Sequence, residues 1–419
     1  MRAATIAHHS HALLRTQLSH QLIRQAPVVV ASTFATSFAS RSNFCTTSVA
    51  CSEHQAIPYG CKVARVPNRG VLQVSGRDTV KLLQGLVSNN VQPLAPLEPS
   101  SSSSSSTMVY AGFMNPQGRM LADVFIHKQQ PMDDGSPRCL LDLDSRTLPS
   151  LLSFVKKFKL RSKVRLTDVS QQYHVIQAWS STSDTQLSEV LHAKLALDPR
   201  CPGLGYRGVL PSSSDLGGNG SLVDGDEYTV HRIVNGIGEG AHDFPEGSSL
   251  PLENNLDYMN GVDFRKGCYV GQELTARTHH TGVVRKRLIP LSFYLPGTNP
   301  PTSINDIDTT TSFHLPSHLT EIRSRPVASG SVQSEAAQPT RGKAAGKFTS
   351  GIYNIGLGCL RLEQVQRWTD ASIRAGKQDG LEMTVLAADG ETQLMVKPWI
   401  PSWWPKQQQP VQGGEEARM

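Results

Sequence analysis

The residues best equipped for chemistry in this 419-residue chain stand together as Lys266-Gly267-Cys268-Tyr269-Val270-Gly271-Gln272-Glu273. A thiol attacks and ligates metals as its thiolate, and nearby cations favour that form. Arg265 and Lys266 lie just before Cys268, while Arg277, His279 and His280 follow in a segment that Gln272 and Glu273 open with good helix formers. Gly267 and Gly271 bracket Cys268-Tyr269-Val270, so the backbone there is free to turn tightly or to approach a ligand closely. The plainer reading of any lone cysteine is a buried structural thiol in a loop.

A second candidate is Asp123. Residues 120–127 alternate as a strand, which puts Met120, Ala122, Val124 and Ile126 on one face and Leu121, Asp123 and Phe125 on the other. A carboxylate in an apolar row needs a ligand, or else backbone amides or an arginine as its partner. A third feature is a run of six cations, Lys156, Lys157, Lys159, Arg161, Lys163 and Arg165, within ten residues. It reads either as a solvated face or as a rim that binds an anion or an acidic partner.

The elements that must position these groups are partly legible. Residues 71–74 read as a strand, and Ser75-Gly76-Arg77-Asp78 has the spacing of a helix-capping box. Val80, Leu83, Leu86 and Val87 then share a helical face that stops at Asn89-Asn90. Residues 109–113 and 120–127 pair as a hairpin around Asn115-Pro116-Gln117-Gly118. A strand at 139–143, a helical stripe of Leu148, Leu151, Leu152, Val155 and Phe158, and a strand at 164–166 complete an α+β layer. Residues 97–107, with seven consecutive serines from Ser100, read as a flexible insertion. Residues 297–338 are rich in Ser, Thr and Pro and read as another, while 348–363 and 381–397 alternate like strands. The tail from 401 to 419 is Pro- and Gln-rich and reads as disordered.

Composition bounds the rest. A hydrophobic share of 38% with 12 Phe, 9 Tyr and 5 Trp fits a globular chain with polar insertions. No run of about 18 apolar residues occurs, so no transmembrane helix is expected. The seven cysteines, Cys45, Cys51, Cys61, Cys139, Cys201, Cys268 and Cys359, form no CxxC pair and no zinc spacing, which points to reduced thiols in an intracellular compartment. Residues 1–52 contain no acid, carry Arg2, Arg15, Arg24 and Arg41, and repeat Leu14, Leu18 and Leu22 at helical spacing. That is the composition of a mitochondrial transit peptide, removed between Arg41 and Glu53. Its four arginines supply four of the six net positive charges, so the remaining balance gives no reason to expect a nucleic-acid partner.

The eight-residue motif, with Asn254-Asn255-Leu256-Asp257 and Gly261-Val262 before it, resembles the signature of the YgfZ-type, glycine-cleavage-T-protein-like family. Its mitochondrial members are iron–sulfur cluster assembly factors. Arg69-Gly70-Val71-Leu72, Pro116-Gln117-Gly118-Arg119, Lys159-Leu160-Arg161-Ser162-Lys163-Val164, Asp198-Pro199-Arg200, Leu204-Gly205-Tyr206-Arg207 and Gly236-Ile237-Gly238-Glu239-Gly240 resemble further family blocks. The resemblance implies an α+β, GcvT/YgfZ-like folate-binding fold of ferredoxin-like and related subdomains over 53–290. A small C-terminal β-barrel would follow at 291–400, with a disordered insertion at 297–340. It implies a matrix factor for maturing [4Fe–4S] proteins, in which Cys268 is the reactive group and transiently contacts a cluster. Other ligands would come from A-type scaffold proteins, with [4Fe–4S] apoproteins as clients. It also implies a tetrahydrofolate site lined by Asp123 and drawing on Arg232, Lys266, Tyr269, Gln272, Glu273 and Arg277.

Two departures separate the chain from the aminomethyltransferase branch of this superfamily. Val234 stands where the enzyme has the glutamate that engages the pterin, and valine accepts no N–H bond. Ala122-Asp123 replaces a pair of aspartates. The alternatives are a tetrahydrofolate-dependent one-carbon transferase using Asp123, and an interaction scaffold with no reactive thiol.

Overall fold

Period-two alternation organises the central sheet. In the computed structural model, which describes residues 61–95, 107–180, 194–214, 216, 222–326, 343–373 and 381–405, this sheet runs in the order β3-β4-β5-β2-β6. Its strands are β2 (Arg69–Ser75), β3 (Met108–Met114), β4 (Met120–Gln129), β5 (Arg138–Asp144) and β6 (Arg165–Asp168), all paired antiparallel. Ala111, Phe113, Ala122, Val124 and Ile126 face helices α1 (Thr79–Leu86) and α2 (Leu148–Lys159), meeting Leu82, Leu83, Leu86, Leu148, Leu151 and Val155 in one core. Tyr110, Met120 and Phe125 face the other way, into a second core with Ile233, Phe244, Leu256 and Leu288. Both faces are therefore buried, and the only way for a charged residue to sit on either is with partners.

The sheet contains a correction to the expected capping box. Ser75 ends β2, the N-cap of α1 is Asp78, and the Asp78 side chain makes no bond to the helix. Its Oδ2 instead accepts the amide of Lys163 at 2.7 Å. The intervening Gly76 has φ +125°, and a Cβ there would lie 2.3 Å from the Lys163 carbonyl oxygen. The helix start is thus fixed by the loop after α2 and not by a local cap.

A second sheet has β1 (Cys61–Arg65), β7 (Tyr173–Ser180), β8 (Ala196–Leu197), β9 (Tyr206–Pro211) and β10 (Leu222–Val223) in the order β10-β1-β7-β9-β8. Helix α3 (Gly225–Val234) follows, capped by Asp224 accepting the amide of Asp226, and then the short α4 (Gly240–Asp243) and α5 (Gln272–Thr281).

The chain closes with a six-stranded barrel, in the order β11-β14-β13-β12-β15-β16. The strands are β11 (Lys286–Tyr294), β12 (Glu321–Pro326), β13 (Lys343–Ile352), β14 (Ile355–Arg361), β15 (Leu381–Leu386) and β16 (Gln393–Pro398), with α6 (Leu362–Ile373) between β14 and β15. The expected α+β fold with a C-terminal barrel is therefore what forms. The expected insertion at 297–340 is corrected: it contains β12, which the barrel needs for closure. Its preceding loop packs Ile304 and Ile307 on the second core and Phe313 and Leu315 on the barrel core. Only Ile322 and Ser324 of β12 point inward, too few apolar residues to signal a strand. The expected disordered tail at 401–419 is corrected at its start, where Trp403 donates to the Asn235 carbonyl at 2.8 Å and Trp404 packs on the barrel core; the rest of it beyond residue 405, the expected transit peptide at 1–52 and the serine run lie outside the described residues.

Candidate functional site

Residues 263–270 cross the C-terminal end of α1 and satisfy its carbonyl groups. The last turn of a helix leaves carbonyl oxygens without intrahelical donors, at the negative end of the helix dipole. Here the Lys266 ammonium donates to the carbonyls of Gln84 at 2.8 Å, Val87 at 2.7 Å and Asn89 at 2.9 Å. The amides of Asp263 and Val270 donate to Ser88 and Gly85, both at 3.1 Å. Val270 tucks its side chain against the α1 core, and Tyr269 packs on the second core beneath. Between the Lys266 and Val270 anchors, Gly267 and Cys268 are exposed.

This geometry changes the reading of Lys266. All three of its N–H donors are spent on the last turn of α1 and the residues just after it, so the ammonium is committed to holding the loop and not to facing the thiol. Arg265 extends into solvent with its side chain 95% exposed, 3.7 Å from Asp263. Past the thiol, Gly271 has φ +81° and starts α5, where the Gln272 side-chain oxygen accepts the Tyr269 amide at 3.1 Å. Glu273 sits in the first turn of α5, where a negative charge is favoured. Arg277, His279 and His280 are exposed on the same helix, and His279 stacks on Phe264 with ring centroids 3.6 Å apart. The loop and α5 thus form one surface, with Cys268 at the loop's apex.

Burial distinguishes Cys268 from the other described thiols. Cys61, Cys139 and Cys201 are buried and Cys359 is half-buried. Burial raises the Cys61 thiol above its ordinary range, pushes Cys139 to about 11 and Cys201 and Cys359 to about 12, withdrawing all four from thiolate chemistry near neutral pH. Cys268 is exposed. Among the described residues no group of three or more His, Cys, Asp or Glu is arranged to hold a metal ion.

Asp123 belongs to a different assembly, far more enclosed. It is 1% exposed, with Oδ1 accepting the Gly240 amide at 3.0 Å and Oδ2 accepting from Arg69 at 3.4 Å. Burial raises its pKa, with Arg69 opposing. Arg69 also donates to Asp142 at 2.5 Å, and Arg207 reaches the other Asp142 oxygen at 2.7 Å. Glu239 then accepts from Arg207 at 3.0 Å, from Arg200 at 2.6 Å and from the Tyr228 hydroxyl at 2.7 Å, while Arg200 pairs with Asp198 at 2.7 Å. Against burial, which would raise them, Arg207 with Arg69 holds Asp142, and Arg207 with Arg200 holds Glu239, well below the usual carboxylate range. Both guanidiniums rest on Phe125, Arg207 at 4.2 Å and Arg200 at 4.7 Å from the ring centroid. This chain of ion pairs joins the two sheets through their shared interior.

Arg232 lies beyond that assembly. It donates to Asp243 at 2.7 Å and to the Ile237 carbonyl at 3.1 Å, and Asp243 in turn accepts from Thr349 and Ser350 of β13 at 2.8 and 2.6 Å. Its role in the structure is to tie α3 and α4 to the barrel. Two of the residues expected to receive tetrahydrofolate, Asp123 and Arg232, already have protein partners. Both oxygens of Asp123 are engaged by protein donors, Arg232 is engaged by Asp243, and Val234 packs on the second core without offering an acceptor.

Of the site residues expected from sequence, Lys266, Cys268, Tyr269, Gln272 and Glu273 come together with Arg277 at the α1–α5 surface. Asp123 and Arg232 do not join them. Sequence reasoning missed the roles of Arg69, Asp142, Arg200, Arg207 and Glu239. Their signal was present as charged residues inside otherwise apolar strand patterns, as in Leu140-Leu141-Asp142-Leu143.

Residues 285–406 match the family model described as the CAF17 C-terminal beta-barrel domain, which covers the barrel. A protein of Mycosarcoma maydis named iron-sulfur cluster assembly factor IBA57 homolog, mitochondrial, is 64% identical over 360 residues, spanning 85% of this chain and 88% of that protein. The Mus musculus protein named iron-sulfur cluster assembly factor IBA57, mitochondrial, is 34% identical over 348 residues, spanning 81% and 85%. The crystal structure of glycine cleavage system aminomethyltransferase T from Bartonella henselae superposes with a TM-score of 0.52 over 83% of this chain and 88% of that one, at 10% identity, a likeness of fold alone. The chain belongs to the IBA57 family of the glycine-cleavage-T-protein-like fold.

Proposed function

We propose that this chain is a mitochondrial iron–sulfur cluster assembly factor in which Cys268 presents the thiolate that contacts the cluster in transit. Family membership supports the assembly role and the compartment. The observation that carries the residue assignment is the contrast among cysteines: four described thiols are withdrawn by burial, and Cys268 stands exposed on a loop anchored on both sides.

The cluster is cargo. Iron–sulfur clusters take about four protein ligands, usually thiolates, so a single exposed thiol supplies one and a partner supplies the others. The partner class that the family resemblance suggests is an A-type scaffold protein, with [4Fe–4S] apoproteins as recipients. Anchoring on α1 gives the thiol a fixed position without enclosing it, which suits transfer between proteins better than storage. The transferase reading loses its two polar groups, since Asp123 is locked into the buried ion network and Val234 is apolar.

The test is Cys268→Ser. At an exposed loop position the exchange changes stability by no more than about 0.5 kcal/mol. Mitochondria carrying the variant are expected to lose [4Fe–4S] enzyme activity while [2Fe–2S] proteins stay near normal. Full function of the serine variant overturns the assignment of Cys268.

A further inference from the structure

The basic run identified in the sequence surrounds one apolar side chain. After α2 the chain turns through Lys159-Leu160-Arg161-Ser162, closed by the Ser162 amide donating to the Lys159 carbonyl at 2.8 Å. Leu160 occupies the first central position of this turn with φ +44° and ψ −114°, a conformation that glycine adopts freely and leucine does not. The same leucine is 85% exposed. One residue therefore carries both backbone strain and an apolar side chain held in water, and neither serves the core.

Lys156, Lys157, Arg161, Lys163 and Arg165 are exposed around it, with Lys159 half-buried. Among the described residues none of the six is paired with a carboxylate, and the nearby Asp78 is spent on the Lys163 amide. The favourable position of cations at the end of α2 accounts for Lys156, Lys157 and Lys159. It accounts for neither Arg161, Lys163 and Arg165 nor the exposed leucine.

Helix α1 connects this knob to the thiol. Its N-terminal end is fixed by Lys163 through Asp78, and its C-terminal end by Lys266 and Val270. Eight residues at 1.5 Å each separate the two ends by about 12 Å, well inside the footprint of one protein partner, which buries about 800 Å² on each side.

We propose that Leu160 and the exposed cations that flank it in the chain form the docking surface for the protein that meets Cys268, and that this protein presents an apolar notch rimmed by acidic side chains. The inference rests on the transfer reading of Cys268 given above. A single exposed leucine at the opposite end of α1 from the thiol loop, with no second apolar side chain exposed in the turn, favours a protein surface over a lipid bilayer.

The experiment measures binding of a purified A-type scaffold protein carrying a [2Fe–2S] cluster to the mature chain across a range of salt concentrations. Vesicles of phosphatidylcholine and cardiolipin are the second probe. Leu160→Gly, which relieves the turn, is expected to weaken scaffold binding at least tenfold with melting temperature unchanged or raised. Arg161→Glu with Lys163→Glu is expected to weaken it similarly and flatten its salt dependence. Cys268→Ser is expected to keep docking and lose cluster handover. Wild-type affinity in both the Leu160 and the charge-reversal variants overturns the docking surface and leaves the Cys268 reading standing. Loss of vesicle binding with scaffold binding intact assigns the knob to a membrane and overturns the protein partner. A wild-type chain that does not bind the scaffold overturns the transfer reading and the proposal with it.

Discussion

Gly118, in the β3–β4 turn, and Gly271, at the start of α5, are packed backbone to backbone. A Cβ on Gly118 would lie 2.9 Å from the Gly271 carbonyl oxygen, and one on Gly271 would lie 3.2 Å from the Gly118 Cα and 2.4 Å from the Asn115 carbonyl oxygen. Both glycines have positive φ, +79° and +81°. The motif loop is therefore seated on the hairpin turn by two glycines that each exclude a side chain for the other.

Gly271→Ala is accordingly expected to cost about 3 kcal/mol, from the left-handed backbone and the overlap with Asn115 together. Gly267→Ala is the internal control, since a Cβ there meets nothing within 4 Å; it should change stability by less than about 0.5 kcal/mol. Denaturant titration of the two variants checks the contrast. Equal effects would show that the close approach of the two glycines does not hold in solution.

Lys266→Met removes the donor for three carbonyl groups and is expected to cost about 2 kcal/mol. The loop should loosen first, so the amides of Asp263 and Val270, bonded to Ser88 and Gly85, should exchange hydrogen faster than in the wild type. Because the ammonium is aimed at α1, iodoacetamide should alkylate Cys268 at an equal or higher rate in the variant near neutral pH. Slower alkylation would restore Lys266 as the cation that promotes the thiolate.

A pH dependence follows from His231 on α3. It stacks on Trp179 with centroids 4.9 Å apart, and its Nε2 lies 3.3 Å from the Leu204 carbonyl oxygen, to which the neutral ring donates. Burial lowers its pKa from 6.5 to about 4. The folded state therefore binds fewer protons than the unfolded state in between, and stability falls as pH drops from about 6.5 toward 4. A shift of this size corresponds to a loss of about 3 kcal/mol. In His231→Phe the denaturation midpoint should depend less steeply on pH in that window. An unchanged slope would place the acid sensitivity elsewhere.

How much was legible in the sequence follows from where each signal is encoded. The central hairpin, α1 and α2 announce themselves because one face of each is apolar, as in Ala122, Val124 and Ile126. The chemistry-bearing loop is legible from Cys268 and its glycines. The job of Lys266 is not, because its three acceptors are backbone carbonyls some 180 residues earlier, and backbone groups leave no mark in composition. Asp123 shows the converse. Its apolar row announces that a partner is required, but Arg69 and the Gly240 amide are brought to it only by the folded sheets. The strand β12 was hidden because a barrel strand with only two inward residues, Ile322 and Ser324, resembles a polar linker.

The final prediction concerns the buried ion network and the chemistry it displaces. If Asp123 serves the fold, Asp123→Ala leaves Arg69 with a single carboxylate partner in a dry interior and is expected to cost about 3 kcal/mol. Tetrahydrofolate should then fail to stabilise the wild-type chain, whereas a ligand bound at 100 times its Kd would add about 2.7 kcal/mol, because Asp123 is held by Arg69 and the Gly240 amide and Val234 offers no acceptor. Offered an aminomethyl-lipoyl carrier and tetrahydrofolate, the chain should form no methylene-tetrahydrofolate above background. Val234→Glu introduces a carboxylate at the position where the sequence resemblance implies a pterin-binding glutamate in the aminomethyltransferase branch. Folate-dependent stabilisation appearing only in that variant would show that one missing acceptor separates the two branches. Turnover by the wild type would instead return Asp123 to a catalytic role and revive the transferase reading.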